Sequence, residues 1–381
     1  MTLIGNWSYP TQIKFGAGRI REIADACNQA NIKRPLLITD KGLSNLPITS
    51  KTLQLMKEAG LGDALFSNVD PNPNEKNLNS GITAFKEGNH DGVIAFGGGS
   101  GLDLGKLVAF MVGQDRSVWD FEDVSDWWTR ANPNTIFPIV AIPTTAGTGS
   151  EVGRASVLTN SDTSEKKIIF HPQILPKVVI CDPELTIEMP KSITAGTGLD
   201  AFAHCVEAFS SPHYHPMSHG IAIEGMRLVI ENLGKVYSDG SDIEARANMM
   251  SAALMGATAF QKGLGAIHAL SHPVGAIHHT HHGTTNAVCM PAVLRLNESK
   301  IRDRFDTVTG YLGIQNGFSG FKVFVDEFNA SLNIPLRLGD LGVENPDLGK
   351  LVKGALSDPS CGGNPVKLTS ENLKALFEEV L

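Results

Sequence analysis

The hydrophobic pattern of this chain changes near residue 185, and that change constrains its fold more than any other feature. Before this point, short strand-like runs at 35–39, 64–68, 92–96, 137–142 and 177–181 alternate with segments of helical spacing at 20–30, 50–59, 76–87 and 102–112. From residue 193 onward there is no convincing strand, and eight segments have the spacing of helices: 193–211, 216–234, 242–261, 264–278, 284–296, 317–331, 346–356 and 370–380. Alternating helices and continuously apolar strands are typical of a parallel sheet covered on both faces. We therefore predict an α/β domain over residues 1–185 and an all-helical domain over residues 186–381.

Composition and charge exclude several classes of protein. A length of 381 residues favours two domains. The formal net charge is −8 and there is no long basic run, which argues against nucleic acid or an anionic membrane as a partner. No apolar run approaches the roughly 18–20 residues of a membrane span, and the N-terminus lacks a secretory signal pattern. The five cysteines are widely spaced without a CxxC pair, which indicates reduced thiols and a cytoplasmic protein.

A glycine-rich segment, GGGSGLDLGK at 97–106, follows one predicted strand and opens a helix. Glycines without a Cβ allow backbone N–H groups to close on an anion, and the helix N-terminus adds the positive end of its dipole. The segment matches neither GxGxxG nor the GxxxxGK[ST] P-loop. It predicts a cradle for a pyrophosphate, and a tight strand–helix turn is the alternative interpretation.

A second loop rich in glycine and hydroxyl side chains, PTTAGTGSE at 143–151, follows the next strand. Its N–H and hydroxyl donors suit phosphate, ribose or a carboxamide. Loops at the carboxyl ends of strands are where open α/β sheets bind ligands, so the two loops together predict a nucleotide site. Asp40 ends an earlier strand, where a carboxylate can bind ribose hydroxyls and repel a 2′-phosphate. That position favours NAD over NADP, although Asp40 is equally suited to capping the following turn.

The helical half contains a carboxylate and several histidines at helical spacing. Asp200 and His204 are four residues apart, His268 and His272 repeat that spacing, and His282 stands just before what we predict to be a glycine turn. If these side chains converge, they provide a ligand set for a divalent metal. One carboxylate with imidazoles suits Fe²⁺, Zn²⁺, Mn²⁺, Co²⁺ or Ni²⁺ and does not choose among them.

Not every histidine is expected to be a ligand, because four of them crowd into the run HHTHH at 278–282. His278, His279 and His281 are left without an assigned role.

Five segments together make the chain similar to one family over essentially its full length. They are GGGSGLDLGK (97–106), PTTAGTGSE (143–151), DPELTIEMP (182–190), TGLDAFAHCVEAFSS (197–211) and GAIHALSHPVGAIHHTHHG (265–283). In sequence and order they resemble the iron-containing (group III) alcohol dehydrogenases. The resemblance implies an N-terminal α/β dinucleotide-binding domain with a parallel sheet and an all-α metal-binding domain, an architecture like that of dehydroquinate synthase.

The resemblance also implies roles for individual residues. The implied metal ligands are Asp200, His204, His268 and His282, with His272 as an additional active-site histidine that relays a proton. The implied cofactor contacts are Asp40, Asn72, Gly98, Gly99, Ser100, Asp103, Thr144, Thr145, Thr148 and Lys167, with Lys166 competing for the last role. Two positions depart from the family pattern. Gly105 replaces a common alanine, which should loosen helix packing, and His281 replaces a common proline.

The implied activity is that of a metal-dependent, NAD(H)-linked alcohol dehydrogenase or aldehyde reductase. Hydride would move between the carbinol carbon of a small alcohol or diol and nicotinamide, with the alkoxide stabilised by a divalent ion. Fe²⁺ is the expected ion, with Zn²⁺ or another divalent ion as alternatives, and a homodimer or higher homo-oligomer is the expected assembly.

Three other functions are consistent with parts of this pattern. A zinc-dependent polyol oxidoreductase like glycerol dehydrogenase would share the cofactor and differ in the ion. A lyase like dehydroquinate synthase would be expected to have a Glu/His/His ligand set and a basic cluster, whereas this chain has Asp200 and no obvious cluster of that kind. A non-enzymatic metal-binding protein would bind no nucleotide, although both glycine loops are intact here.

Overall fold

A computed structural model describes residues 11–163 and 165–381 of the chain. These residues form two compact units. The sheet unit contains the described residues up to Thr145 and the segment Gly149–Ile187. The helical unit contains Ala146–Thr148 and Glu188–Leu381. A piece of the second glycine loop therefore packs with the helical half of the chain.

The sheet unit is built on six parallel strands. They are β1 (Gln12–Phe15), β2 (Pro35–Ile38), β3 (Leu65–Phe66), β4 (Gly92–Gly97), β5 (Ile139–Pro143) and β8 (Val178–Cys181). Their order across the sheet is β1-β8-β5-β4-β2-β3. Every residue of β2, β4, β5 and β8 is buried. Burial on both faces explains why these segments are continuously apolar in sequence, and the predicted parallel sheet is confirmed.

Four helices accompany the sheet in the described part of this unit: α1 (Ile23–Gln29), α2 (Pro47–Glu58), α3 (Glu75–Glu87) and α4 (Gly99–Met111). Helix α4 begins three residues before its predicted start, because the loop glycines form its first turn. A Cβ added at Gly105 would lie 2.7 Å from the Cβ of Ala95 on β4. The expectation that Gly105 loosens packing is therefore wrong, since the missing side chain lets α4 pack more closely on the sheet.

Three strands were not predicted from the sequence. Strand β1 is one, and the others form an antiparallel pair, β6 (Ala155–Asn160) and β7 (Glu165–Phe170). Their residues are mostly half-buried, so their sequences mix polar and apolar positions. Short segments of this kind carry little periodic signal.

The helical unit contains eight α-helices among its described residues, as predicted. They are α5 (Lys191–Ser210), α6 (Pro216–Ser238), α7 (Ile243–Ala259), α8 (Ala266–His278), α9 (His282–Asp306), α10 (Gly317–Ser331), α11 (Leu348–Ser357) and α12 (Ser370–Val380). Every residue of α5 from Thr194 to its end is buried, and α5 packs against α6, α7 and α9.

The lengths of the helices and the state of the cysteines bear on where such a chain can function. Within the described ranges, no helix is both long enough and apolar enough to cross a membrane. All five cysteines are free thiols, and four of them are buried. Burial raises the pKa of Cys205 to about 12, which keeps its thiol protonated near neutral pH.

Candidate metal centre and nucleotide loops

Three imidazole nitrogens surround one carboxylate oxygen in the helical unit. The distance from Asp200 Oδ1 is 3.7 Å to His204 Nε2, 3.6 Å to His268 Nε2 and 3.5 Å to His282 Nε2. Asp200, His204 and His268 are buried, and each offers a donor atom within 4.8 Å of the others. The structure thus brings together all four residues that the family resemblance implies as ligands.

Three helices supply these side chains. Asp200 and His204 lie one turn apart on α5, His268 lies in the first turn of α8, and His282 is the first residue of α9. A Cβ on Gly283 would lie 2.0 Å from the backbone oxygen of Gly196, one turn before Asp200. Gly283 is therefore a helical residue at a close backbone contact, and the prediction of a glycine turn there is wrong. Its missing side chain lets His282 approach Asp200.

Burial and neighbouring charges shift the pKa values of these groups in different directions. Burial alone would favour neutral Asp200, but the imidazoles of His204, His282 and His268 outweigh it and hold the pKa of Asp200 far below its usual range. Burial lowers the pKa of His204 to about 4, although Asp200 opposes the shift. Burial also disfavours charged His268, but the carboxylates of Glu207 and Asp200 outweigh that effect and raise its pKa to about 10.

Asn286, on the second turn of α9, lies against three of these four groups. Its Nδ2 donates to Asp200 Oδ1 at 2.8 Å and is 3.2 Å from Nε2 of both His268 and His282. Its Oδ1 is buried without a hydrogen-bond partner in the described part of the chain. The three imidazoles and the carboxylate that converge here fit a divalent cation, because each of these four groups offers a lone pair.

His272 lies beside the four candidate ligands, outside the converging set. Its ring stacks on that of His282 with centroids 5.2 Å apart, and its Nδ1 donates to Asp358 Oδ2 at 2.7 Å. Burial disfavours ionised Asp358, but His272 and Ser360 outweigh it and lower the pKa of Asp358 to about 2. An ionised carboxylate on Nδ1 directs the other ring nitrogen of His272 away from Asp358.

The remaining histidines of the 278–282 run have local roles in the link from α8 to α9. His279 ends α8 in the left-handed conformation, with φ of 56°. The side chain of His281 caps the N-terminus of α9 by accepting from the backbone N–H of Thr284 at 3.3 Å. This cap accounts for a histidine where a proline is common. The ring nitrogen Nε2 of His278 is buried without a hydrogen-bond partner among the described residues.

The two predicted nucleotide loops lie side by side at the carboxyl ends of β4 and β5. The backbone N–H of Thr144 donates to the oxygen of Gly97 at 3.0 Å. A Cβ on Gly98 would lie 3.2 Å from the methyl group of Thr145. Gly98 is the extended residue before α4, and Gly99 and Ser100 are the first residues of that helix. The free N–H groups of this first turn are suited to an anion.

Two further predicted cofactor residues lie around these loops. Ser100 Oγ donates to the backbone oxygen of Pro71 at 2.6 Å, which fixes the half-buried Asn72 near the first loop. Asp40 follows β2, and its Oδ1 accepts from the backbone N–H of Leu43 at 3.0 Å. Asp40 therefore caps its turn through one oxygen, and no hydrogen bond from a described residue reaches Oδ2.

Three other predicted cofactor residues either have partners within the protein or belong to the helical unit. Asp103 accepts from Ser150 Oγ at 2.5 Å and from the N–H of Val157 at 3.0 Å, so protein donors satisfy both of its oxygens. The ammonium of Lys167 lies 2.9 Å from Glu165 and 3.7 Å from Glu122. Thr148 belongs to the segment that packs with the helical unit. By contrast, Thr144 Oγ1 is buried without a partner among the described residues.

Sequence reasoning missed three polar residues around the candidate metal centre. Glu207 was detectable in principle, because residues 200, 204 and 207 share one face of a helix. Asn286 follows His282 by four residues and also shared its helix face. Asp358 lies 86 residues from His272 and gave no local signal.

Comparison with known families matches both halves of the chain. A model for the iron-containing alcohol dehydrogenases matches residues 10–183. A model for the C-terminal part of the Fe-containing alcohol dehydrogenase family matches residues 194–381. The second match includes every candidate ligand.

Individual relatives cover nearly the whole chain. The 4-hydroxybutyrate dehydrogenase of Cupriavidus necator is 35% identical over 381 residues, with 97% of this chain and 98% of that protein covered. The crystal structure of a 1,3-propanediol oxidoreductase has a TM-score of 0.93 and 33% identity, with coverage of 99% and 100%. A sulfoacetaldehyde reductase from Bifidobacterium kashiwanohense, solved with NAD⁺, has a TM-score of 0.88 and 28% identity, with coverage of 100% and 99%. The chain belongs to the iron-containing alcohol dehydrogenase family.

Proposed function

We propose that this chain is a metal-dependent, NAD(H)-linked alcohol dehydrogenase that also reduces the corresponding aldehyde. The observation that carries the proposal is the convergence of three imidazole Nε2 atoms on one oxygen of Asp200. A divalent ion held by Asp200, His204, His268 and His282 would supply Lewis acidity toward an alcohol or carbonyl oxygen.

The two glycine loops are proposed to bind and orient the dinucleotide. The N–H groups at the start of α4 would hold the pyrophosphate, and the hydroxyls of Thr144 and Thr145 would bind polar groups of the cofactor. Asp40 would accept from the ribose hydroxyls through Oδ2, which favours NAD over NADP. Hydride transfer requires the carbinol carbon and the nicotinamide ring to be in near-contact, and such positioning is the main contribution of these loops.

His272 is proposed to move the proton of the substrate hydroxyl. Asp358 holds a proton on Nδ1 of His272, so Nε2 is the atom that would take up or return the substrate proton. The side chain is 13% exposed, which permits onward exchange with solvent.

Relatives support a small alcohol or diol as the substrate class. Two of the similar proteins carry the names of dehydrogenases for 4-hydroxybutyrate and 1,3-propanediol, both short chains with oxygen at each end. The family name supports Fe²⁺ as the ion, and the NAD⁺ complex of the sulfoacetaldehyde reductase supports NAD. Zinc, with a polyol substrate, is the alternative that a metal assay distinguishes.

We further propose that residues 1–185 act as the cofactor-binding domain and residues 186–381 as the metal-binding domain of a cytoplasmic homo-oligomer. Five free thiols are consistent with a reducing compartment. Light scattering coupled to gel filtration measures the assembly directly.

The test of the proposed function is replacement of one ligand. His268→Ala, prepared anaerobically with Fe²⁺ or Zn²⁺, should lose bound metal by mass spectrometry and lose alcohol-dependent NAD⁺ reduction across a panel of alcohols, diols and hydroxy acids. His279→Asn is the matched control, because asparagine tolerates the left-handed conformation of this position. Retention of both metal and activity in His268→Ala would contradict the assignment.

A further inference from the structure

We propose that Glu207 is a positioning residue that sets the tautomer and orientation of His268, and thereby determines how tightly the chain retains a divalent ion. The inference rests on the proposed metal site, because His268 is one of its ligands. Glu207 is 4% exposed and lies on α5, one turn beyond His204.

The contact between the two side chains defines the tautomer. Nδ1 of His268 lies 2.5 Å from Glu207 Oε2, and Nε2 on the opposite side of the ring faces Asp200 Oδ1 at 3.6 Å. A carboxylate accepts hydrogen bonds and donates none, so the proton between the two residues belongs to Nδ1. In the neutral ring, the form that binds an ion, the lone pair of Nε2 is then directed toward the other ligands.

Glu207 is itself held in place by a second hydrogen bond. Its Oε1 accepts from the backbone N–H of Ile267, in the first turn of α8, at 2.7 Å. With one oxygen on the backbone and the other on the ring, the carboxylate cannot rotate away from His268. The negative charge is also favourable at the N-terminus of α8. Residues 200, 204 and 207 thus give α5 two ligands and the support for a third.

A neighbouring residue allows this positioning role to be separated from simple capping of α8. Asn364 Oδ1 accepts from the backbone N–H of Ala266 at 3.1 Å and from Asn297 Nδ2 at 2.9 Å. Asn364 therefore stabilises the same helix end as Glu207. No hydrogen bond joins Asn364 to a proposed ligand in the described structure.

Glu207→Gln keeps the shape of the side chain at position 207 but changes which ring nitrogen of His268 carries the proton. The glutamine oxygen can still accept from Ile267, but its amide nitrogen would donate to Nδ1 of His268. The ring proton would then move to Nε2, where it competes with the ion. Outer-sphere partners of metal-bound histidines contribute roughly 10–100-fold to metal retention, and we expect a loss in that range.

The experiment uses Co²⁺ as the probe, because its visible absorption reports ligand geometry. Wild type, Glu207→Gln and Asn364→Ser are loaded with Co²⁺, and the loss of absorption is followed after addition of excess EDTA. We expect Glu207→Gln to release Co²⁺ about 10–100-fold faster with an altered spectrum and a little-changed melting temperature. Asn364→Ser should melt at a lower temperature, with the spectrum and release rate of wild type.

The outcomes separate this inference from the proposed function. If wild type holds Co²⁺ in a manner that requires His268, and Glu207→Gln releases it at the wild-type rate, the role of Glu207 is refuted and the metal site stands. If Asn364→Ser accelerates release as much as Glu207→Gln, Glu207 acts only as a helix cap and the inference is also refuted. Failure of wild type to hold Co²⁺ at all would overturn the proposed metal site together with it.

Discussion

At the scale of single residues, neighbouring histidines of the candidate centre have different contacts and different proposed roles. His268 and His272 are four residues apart on α8, yet their Nδ1 atoms contact different carboxylates, Glu207 and Asp358. Of these two histidines, only His268 has its Nε2 among the nitrogens around Asp200 Oδ1. The position of Nε2 relative to Asp200 therefore distinguishes a candidate ligand from a candidate proton carrier, which helical spacing could not do.

Replacement of His272 tests this division. His272→Gln should lower kcat by roughly 10²–10⁴-fold, the usual contribution of a general acid or base, while the bound metal stays at the wild-type level. The measurement is steady-state NAD⁺ reduction combined with metal analysis of the same sample. Loss of metal in parallel with activity would instead make His272 a ligand.

At the scale of elements, the position of α9 depends on a contact between two glycines. The Cβ of an alanine at 283 would lie 2.0 Å from the oxygen of Gly196, too close for a side chain to adjust. Either α9 or α5 must shift. Because His282 directly precedes Gly283, such a shift would move one proposed ligand away from Asp200.

Gly283→Ala should therefore destabilise the protein by about 1–3 kcal/mol and weaken metal retention. Gly220→Ala on α6 is the control, since its Cβ would meet nothing within 4 Å. Removing a glycine from an open helix position should stabilise it by roughly 0.5–1 kcal/mol. Thermal melting of both variants, with metal analysis, gives shifts of opposite sign if the contact matters. Equal stabilisation of both would show that α9 tolerates displacement.

Helices and strands were predictable from the sequence where burial made their pattern periodic or continuously apolar. All eight helices described in the helical unit and the buried strands β2, β4, β5 and β8 were predicted. The half-buried strands β1, β6 and β7 were missed, because partial exposure leaves short segments without a clear alternation.

The candidate site was predictable in part. Helical spacing grouped the histidines and Asp200, and the family pattern separated ligands from neighbours. Spacing could not show that Asp103 and Lys167 have internal partners, or that Asp358 reaches His272, because these contacts depend on tertiary packing. Gly283 was misassigned for the same reason, since a close backbone contact looks like a turn in sequence.

At the scale of the whole molecule, every proposed ligand lies in the helical unit. Binding an ion to the folded state alone stabilises that state by RT ln(1 + [L]/Kd), or about 2.7 kcal/mol at 100 times Kd. Removing the ion should therefore lower the melting temperature of the helical unit and leave NAD⁺ binding by the sheet unit intact. Calorimetry with and without chelator, and NAD⁺ titration of both samples, measure the two effects. Loss of NAD⁺ binding on chelation would show that the ion supports the nucleotide loops.

The burial of α5 has a consequence for how such a protein can change during evolution. Asp200, His204 and Glu207 lie on a helix that is buried from Thr194 to its end, so few substitutions along it escape a cost in packing. The scaffold of the centre is thus constrained by folding as well as by chemistry. Divergence of substrate or ion preference should accumulate at less buried positions such as His282, while the sequence of α5 remains nearly fixed among descendants that still fold.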